Sequence, residues 1–188
     1  MKLQTCVDFQ PLADRFTYQS KFFCIGSCFA TEVGGRLEEL GFDIAVNPFG
    51  VLYNPASIAA AVERLTSHNP FVEDEVICSQ GKDTSFSHHS RFDRDTAEEF
   101  LSCANAALER DAVAFGAAEV CIVTLGTAWV YRHVGRDVIV SNCHKIHPNE
   151  FVRTRLEVEE VATLLADMVM NHPEKRWIFT VSPVRHIK

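Results

Sequence analysis

The chain has 188 residues, 47% of them apolar and 23% charged, with a formal net charge of −7, the balance of one folded domain and not of a disordered segment. The acidic charge excludes broad affinity for nucleic acid or anionic lipid, because both need basic surface to displace counterions. No uncharged apolar run reaches the roughly 18 residues that span a bilayer, so no membrane partner is expected.

The N-terminus, MKLQTCVDFQPLADRF, breaks its apolar residues with charges and a proline, unlike a secretory signal, and a cytoplasmic location is expected. The seven cysteines fall in apolar runs (Cys24, Cys121) or in a helical pattern (Cys103). They read as reduced, buried thiols and not as a disulfide framework.

In chain order, KFFCIG (21–26) predicts a strand, FATEVGGRLEEL (29–40) a helix stopped by Gly41, and FDIAVN (42–47) a second strand, a βαβ unit. After the loop NPFGVLYNP, Pro55 opens a helix to about Ser67 with Asn54 as its N-cap. Residues 68–93, with His68, His88 and His89, show no clear period. A long helix over about 95–115 leads into AEVCIVTLG (118–126), whose nearly continuous apolar run fits a strand buried on both faces. A hairpin around Gly135-Arg136 follows, then a helix over about 157–171 and a strand, RWIFTVS (176–182). This alternation predicts one α/β domain over 1–188, with a mostly parallel sheet and helices on both faces. A doubly wound sheet normally covers its last strand with another helix. The chain is therefore expected to be the N-terminal part of a longer domain, truncated at its C-terminus.

In such sheets ligands bind outside the carboxyl ends of the strands. The residues following the predicted strands are Gly26, Ser27 and Cys28; Asn47, Pro48, Phe49 and Gly50; Gly126, Thr127, Ala128 and Trp129; and Ser182, Pro183, Arg185 and His186. Four segments distant in sequence thus bring glycines, hydroxyls, a thiol and a histidine to one edge. A thiol or hydroxyl at a strand-to-helix turn meets the helix's unpaired amides and positive dipole, which stabilise a thiolate and an oxyanion. Cys28 or Ser27 is then a candidate nucleophile. The plainer reading is that Ser27 caps the helix and Cys28 packs beneath it.

The motifs IGSCFA, NPFGVLYNP, LGTAWVY, NCHK and TVSP, in that order along the chain, resemble the GSCFA-domain family. That family is similar to a branch of the SGNH (GDSL-like) hydrolase superfamily. The resemblance implies a flavodoxin-like three-layer α/β/α sandwich and hydrolysis of ester or acyl bonds, on a carbohydrate or another small polar substrate, with no cofactor. Laid on the Gly-Asp-Ser block of that superfamily, Gly26 holds the glycine, Ser27 the aspartate position and Cys28 the nucleophile. Gly50 matches the second-block glycine whose amide helps hold the oxyanion, with the Cys28 amide and a contribution near Gly126. The third block's asparagine is replaced by Ala128, which has nothing to donate. The Asp-x-x-His block is absent and would lie downstream.

His186 remains a candidate base for Cys28, a role that needs geometry before pKa. Asn47 shapes the loop that presents Gly50, while Trp129, Asn142, His144 and Lys145 are expected to line a substrate pocket. Cys143, His144 and His147 suggest zinc ligation, but the cluster lacks a fourth spaced ligand and no metal is expected. Gly34-Gly35 lacks the GxxxxGK[ST] pattern of a phosphate loop. Two non-hydrolytic readings stay open: a ligand-binding module on the same fold, and a thiol sensor that would need a resolving cysteine near Cys28. The sequence leaves substrate identity and oligomeric state open.

Overall fold

The computed structural model describes Gln10 and residues 15–182; His186 lies outside the described residues. The chain is α/β. Strands β1 (Lys21–Gly26), β2 (Asp43–Val46), β5 (Val120–Leu125) and β9 (Arg176–Val181) form a parallel sheet in the order β2-β1-β5-β9. Phe22 pairs with Ile44 on one side and Val120 on the other, and Val120 pairs in turn with Arg176.

Alternation along these strands divides the interior. Phe22, Cys24, Val120 and Ile122 point to helix α1 (Cys28–Glu39), where Leu37, Ile44 and Val46 close a smaller core. Phe23, Ile25, Cys121, Val123 and Leu125 point the other way. They meet α2 (Pro55–Ser67), α3 (Ala97–Ala117) and α4 (Val158–Asn171) in the main core, through Ile58, Leu65, Phe100, Leu108 and Met168. Strands buried on both faces explain the unbroken apolar runs of β1 and β5, and helices on both sides give the expected three-layer arrangement.

Local signals place the helices. The Asn54 side chain accepts from the Ser57 amide at 2.8 Å with Pro55 at the first helical position, and Thr96 accepts from Glu99 N at 3.2 Å to cap α3. At the far end of α3 the buried Lys175 ammonium donates to the carbonyls of Phe115 and Ala118 at 2.8 and 2.9 Å. A cation there offsets the negative end of the helix dipole and satisfies its orphan acceptors. Gly34 lets α1 lie close on β2, since a Cβ at that position would come within 2.4 Å of Val46 Cγ2. Gly34 is thus required by packing, whereas a Cβ at Gly35 would meet nothing within 4 Å.

Two small sheets fill the connections. Residues 68–93, which show no period, hold the hairpin β3 (Val76–Ser79) and β4 (Lys82–Ser85). The predicted hairpin is β6 (Trp129–His133) with β7 (Val138–Val140), and it gains a third strand that the pattern did not signal, β8 (Phe151–Arg155). Ile77, Phe86 and Val140 join the two small sheets in a satellite core against which Cys143 packs. Among the described residues, no helix is long and apolar enough to cross a membrane.

Candidate active site

The sheet order reverses direction between β1 and β5, the switch point where a crevice opens in doubly wound sheets. Gly26 ends β1 with φ +137°, and a Cβ there would lie 2.2 Å from Thr124 O, so only glycine lets β1 turn this tightly against β5. The turn is anchored from both sides. Asn47 Oδ1 accepts from Gly26 N at 2.8 Å and Asn47 Nδ2 donates to Thr31 Oγ1 at 2.9 Å, while Leu52 N donates to Gly26 O at 2.8 Å. Asn47 is buried and left-handed, φ 47°, a conformation asparagine tolerates better than most residues. It supports the site from beneath and does not line it.

Ser27 takes the N-cap position of α1 but does not cap it. Its amide donates to both the carbonyl and the hydroxyl of Thr124 at 2.9 Å, and its own Oγ lies 3.0 Å from Thr124 Oγ1. The serine hydroxyl is therefore engaged sideways with β5. The helix N-terminus is left without a side-chain cap, and the first amides of a helix have no acceptor within it.

Cys28 is the first residue of α1 and is exposed. Cys28 borders a cavity of about 570 Å³ together with Ser27, Gly126 and Glu32. Phe29, Tyr53, Leu125 and Val181 give the cavity a mainly apolar wall. Gly126 is held by its amide, which donates to Tyr53 O at 2.9 Å, and a Cβ there would crowd Tyr53 Cδ1 at 3.0 Å and Ser27 Cβ at 3.3 Å. The other described cysteines on the sheet differ from Cys28. Burial pushes the Cys24 and Cys121 thiols up to about 12, and Cys24 Sγ faces Ala30 O at 3.5 Å, so Cys24 is not oriented to resolve an oxidised Cys28.

Of the residues expected at one edge, the structure brings together Ser27, Cys28, Gly126 and Ser182 around the cavity, with Asn47 behind them. Gly50 stands apart from the cavity lining. Its amide donates to Asn47 O at 2.9 Å, and its φ of +88° lets His89 approach where a Cβ would sit 2.2 Å from His89 Cβ. Trp129 lies on the three-stranded sheet beneath the Arg153 guanidinium, 4.0 Å from the ring centroid. Asn142, His144 and Lys145 line a different, smaller cavity beside the β3–β4 hairpin. Their loop turns toward β4, where His144 Nε2 meets Ser85 O at 2.9 Å.

The sequence reading missed Glu32, Phe29, Tyr53 and Thr124. Glu32 was accessible to it, since residues four apart on a helix share a face and Glu32 stands four positions after Cys28. Tyr53 was not, because its place depends on how the 47–54 loop folds back over Gly126. The sequence model described as "GSCFA family" matches residues 21–188. Comparison with curated proteins and with solved structures gives no match.

Proposed function

This chain belongs to the GSCFA family, and we propose that it hydrolyses ester or related acyl bonds in the manner of SGNH-like hydrolases, with Cys28 as nucleophile. The observation that carries this reading is the exposed Cys28 thiol at the uncapped start of α1, inside the switch-point cavity.

In the proposed reaction the Cys28 thiolate attacks the acyl carbon, and the carbonyl π electrons move to oxygen. The amides of Cys28 and Phe29 at the helix start hold that oxyanion, aided by the dipole. Gly50 and Gly126 contribute by shaping the turns, because their amides already have acceptors. Collapse of the oxyanion expels the alcohol, which takes its proton from the general base. Water, deprotonated by the same base, then cleaves the thioester to the acid and restores the thiol. His186 is assigned the base on its sequence position. Phe29, Tyr53, Leu125 and Val181 favour an apolar acyl group, so any sugar or polar portion of the substrate would extend outward past Glu32.

The test is turnover of p-nitrophenyl acetate, butyrate and octanoate by the wild type, Cys28→Ala and Ser27→Ala, with mass spectrometry of the Cys28 peptide. A Cys28-linked acyl group, lost together with turnover in Cys28→Ala, is the expected result. Equal turnover by Cys28→Ala and wild type would overturn the reading.

A second reading has its own observation in its favour. Ala128 stands where the superfamily places an asparagine donor, and two of the three expected oxyanion amides are committed elsewhere. On that reading the chain is a ligand-binding module: a non-hydrolysable acyl amide binds the Cys28 cavity, Cys28→Ala leaves its affinity intact, and no ester is turned over.

A further inference from the structure

The side chains that the Cys28 cavity does not use form a site of their own. Between the β3–β4 hairpin and the loop after β7 lies a cavity of about 230 Å³. All of its lining side chains are polar. Three of its wall residues, Gln80, His144 and Lys145, are non-glycine residues in the left-handed region, at φ 52°, 48° and 58°, a strained conformation that surrounding structure must hold in place.

His144 is buried at the floor, its side chain 2% exposed. Its Nε2 lies 2.9 Å from Ser85 O, and a carbonyl can only accept, so Nε2 carries the proton. Burial lowers the affinity of this ring for a second proton below that of an ordinary histidine. Neutral His144 therefore presents a lone pair at Nδ1. Facing it at 3.7 Å is Asp93 Oδ1, also an acceptor, which is buried and meets no hydrogen-bond partner among the described residues. Two acceptors thus converge on one point with no donor between them, a costly arrangement unless a donor enters from outside.

Donors stand around the same space. Lys82 Nζ is fixed by Asp95 at 2.5 Å, Lys145 Nζ by Gln80 Oε1 at 3.3 Å, and Asn142 is oriented by accepting from His144 N at 3.0 Å. A metal ion suits this set poorly, with two ammonium groups on the rim. A ligand whose hydroxyls both donate and accept suits it well.

We propose that this cavity binds one small polyhydroxylated molecule of monosaccharide size, with one hydroxyl donating to Asp93 Oδ1, an adjacent hydroxyl donating to His144 Nδ1, and the ligand oxygens accepting from Lys82 and Lys145. The site is independent of Cys28 and of the hydrolase reading.

Titration of ¹⁵N-labelled protein with glucose and with glucuronate, followed by amide chemical shifts, tests this. Saturable shifts at Asp93, Asn142, His144 and Lys145 with either sugar are expected, at millimolar affinity and equal in Cys28→Ala. Asp93→Asn should weaken binding by about tenfold or more, because its amide can donate to His144 Nδ1 and satisfy that acceptor without a ligand. Lys145→Met, at an exposed position, should weaken binding in a protein that folds normally. Acetate producing the same shifts would overturn the polyol assignment in favour of simple anion binding. Absence of saturable shifts with both sugars would mean that the cavity holds water only, and would overturn the proposal.

Discussion

Ser27 Oγ and Thr124 Oγ1 lie 3.0 Å apart, joining the turn after β1 to the buried strand β5. Because Thr124 also accepts from Ser27 N, the serine is built into the sheet edge, and the adjacent Cys28 is the side chain presented to the cavity. Ser27→Ala should therefore cost about 1 kcal/mol of stability, the worth of one hydrogen bond, and retain most of the hydrolysis that Cys28→Ala reduces by at least about a hundredfold. Loss of hydrolysis in Ser27→Ala, in a protein with unchanged unfolding midpoint, would instead make the serine the nucleophile.

The same geometry separates the thiols. Iodoacetamide should label Cys28 in the folded protein, while Cys24 and Cys121, both 0% exposed and with thiols pushed up to about 12 by burial, should react only after unfolding. Peptide mass spectrometry before and after addition of urea reads this directly. Protection of Cys28 equal to that of Cys24 would mean that the thiol is covered in solution.

Two neighbouring glycines should respond with opposite signs to the same change. A Cβ at Gly34 would come within 2.4 Å of Val46 Cγ2, whereas one at Gly35 meets nothing within 4 Å. Gly35→Ala should stabilise α1 by roughly 0.5–1 kcal/mol through helix propensity. Gly34→Ala should destabilise by about 1–3 kcal/mol, as overpacking does. Thermal unfolding of the two variants decides it; a shift of the same sign in both would show that α1 does not press on β2 as closely as described.

Much of the frame was legible because its causes are local. β1 and β5 announce themselves as unbroken apolar runs, and Asn54-Pro55 marks a helix start by its own chemistry. β8 was not legible: Phe151–Arg155 exposes all but its first residue and carries no alternation, so its pairing with β6 is decided by tertiary contact. The candidate site divided in the same way. Cys28 followed from a strand-to-helix turn, a local feature. Asn142, His144 and Lys145 of the NCHK motif were expected to line the same pocket, but they follow β7, which belongs to the small antiparallel sheet, and their loop closes on Ser79 and Ser85. Placement after a strand locates a ligand site only when the strand is in the parallel sheet.

Lys175 offers a test of helix termination. Its ammonium, buried at the end of α3, donates to carbonyls of Phe115, Gly116 and Ala118 and stands 4.8 Å from the Phe115 ring centroid. Lys175→Met keeps the bulk but leaves those acceptors without their donor. It should cost about 2–4 kcal/mol, since several bonds to one charged group are lost together. A change in the urea midpoint too small to measure would show that water replaces the ammonium without penalty.

Acid sensitivity should trace to His88. The ring is 0% exposed and enclosed by Phe49, Phe71, Phe92 and Phe100 at centroid distances of 4.5 to 5.3 Å. Its Nδ1 meets Ser85 Oγ at 2.7 Å, and Nε2 has no hydrogen-bond partner among the described residues. Burial first, then the charges of Arg64, His144 and Arg91, lowers its pKa from 6.5 to about 3. The unfolded chain therefore takes up this proton at a higher pH than the folded one. The stability that His88 permits is complete above 6.5 and is lost as pH falls from 6.5 toward 3, at up to about 1.4 kcal/mol per pH unit. Carboxylates also titrate in the lower part of this window, so the informative quantity is the difference from His88→Gln. Urea midpoints should fall more steeply with acid in the wild type than in His88→Gln, and parallel slopes would place the acid sensitivity elsewhere.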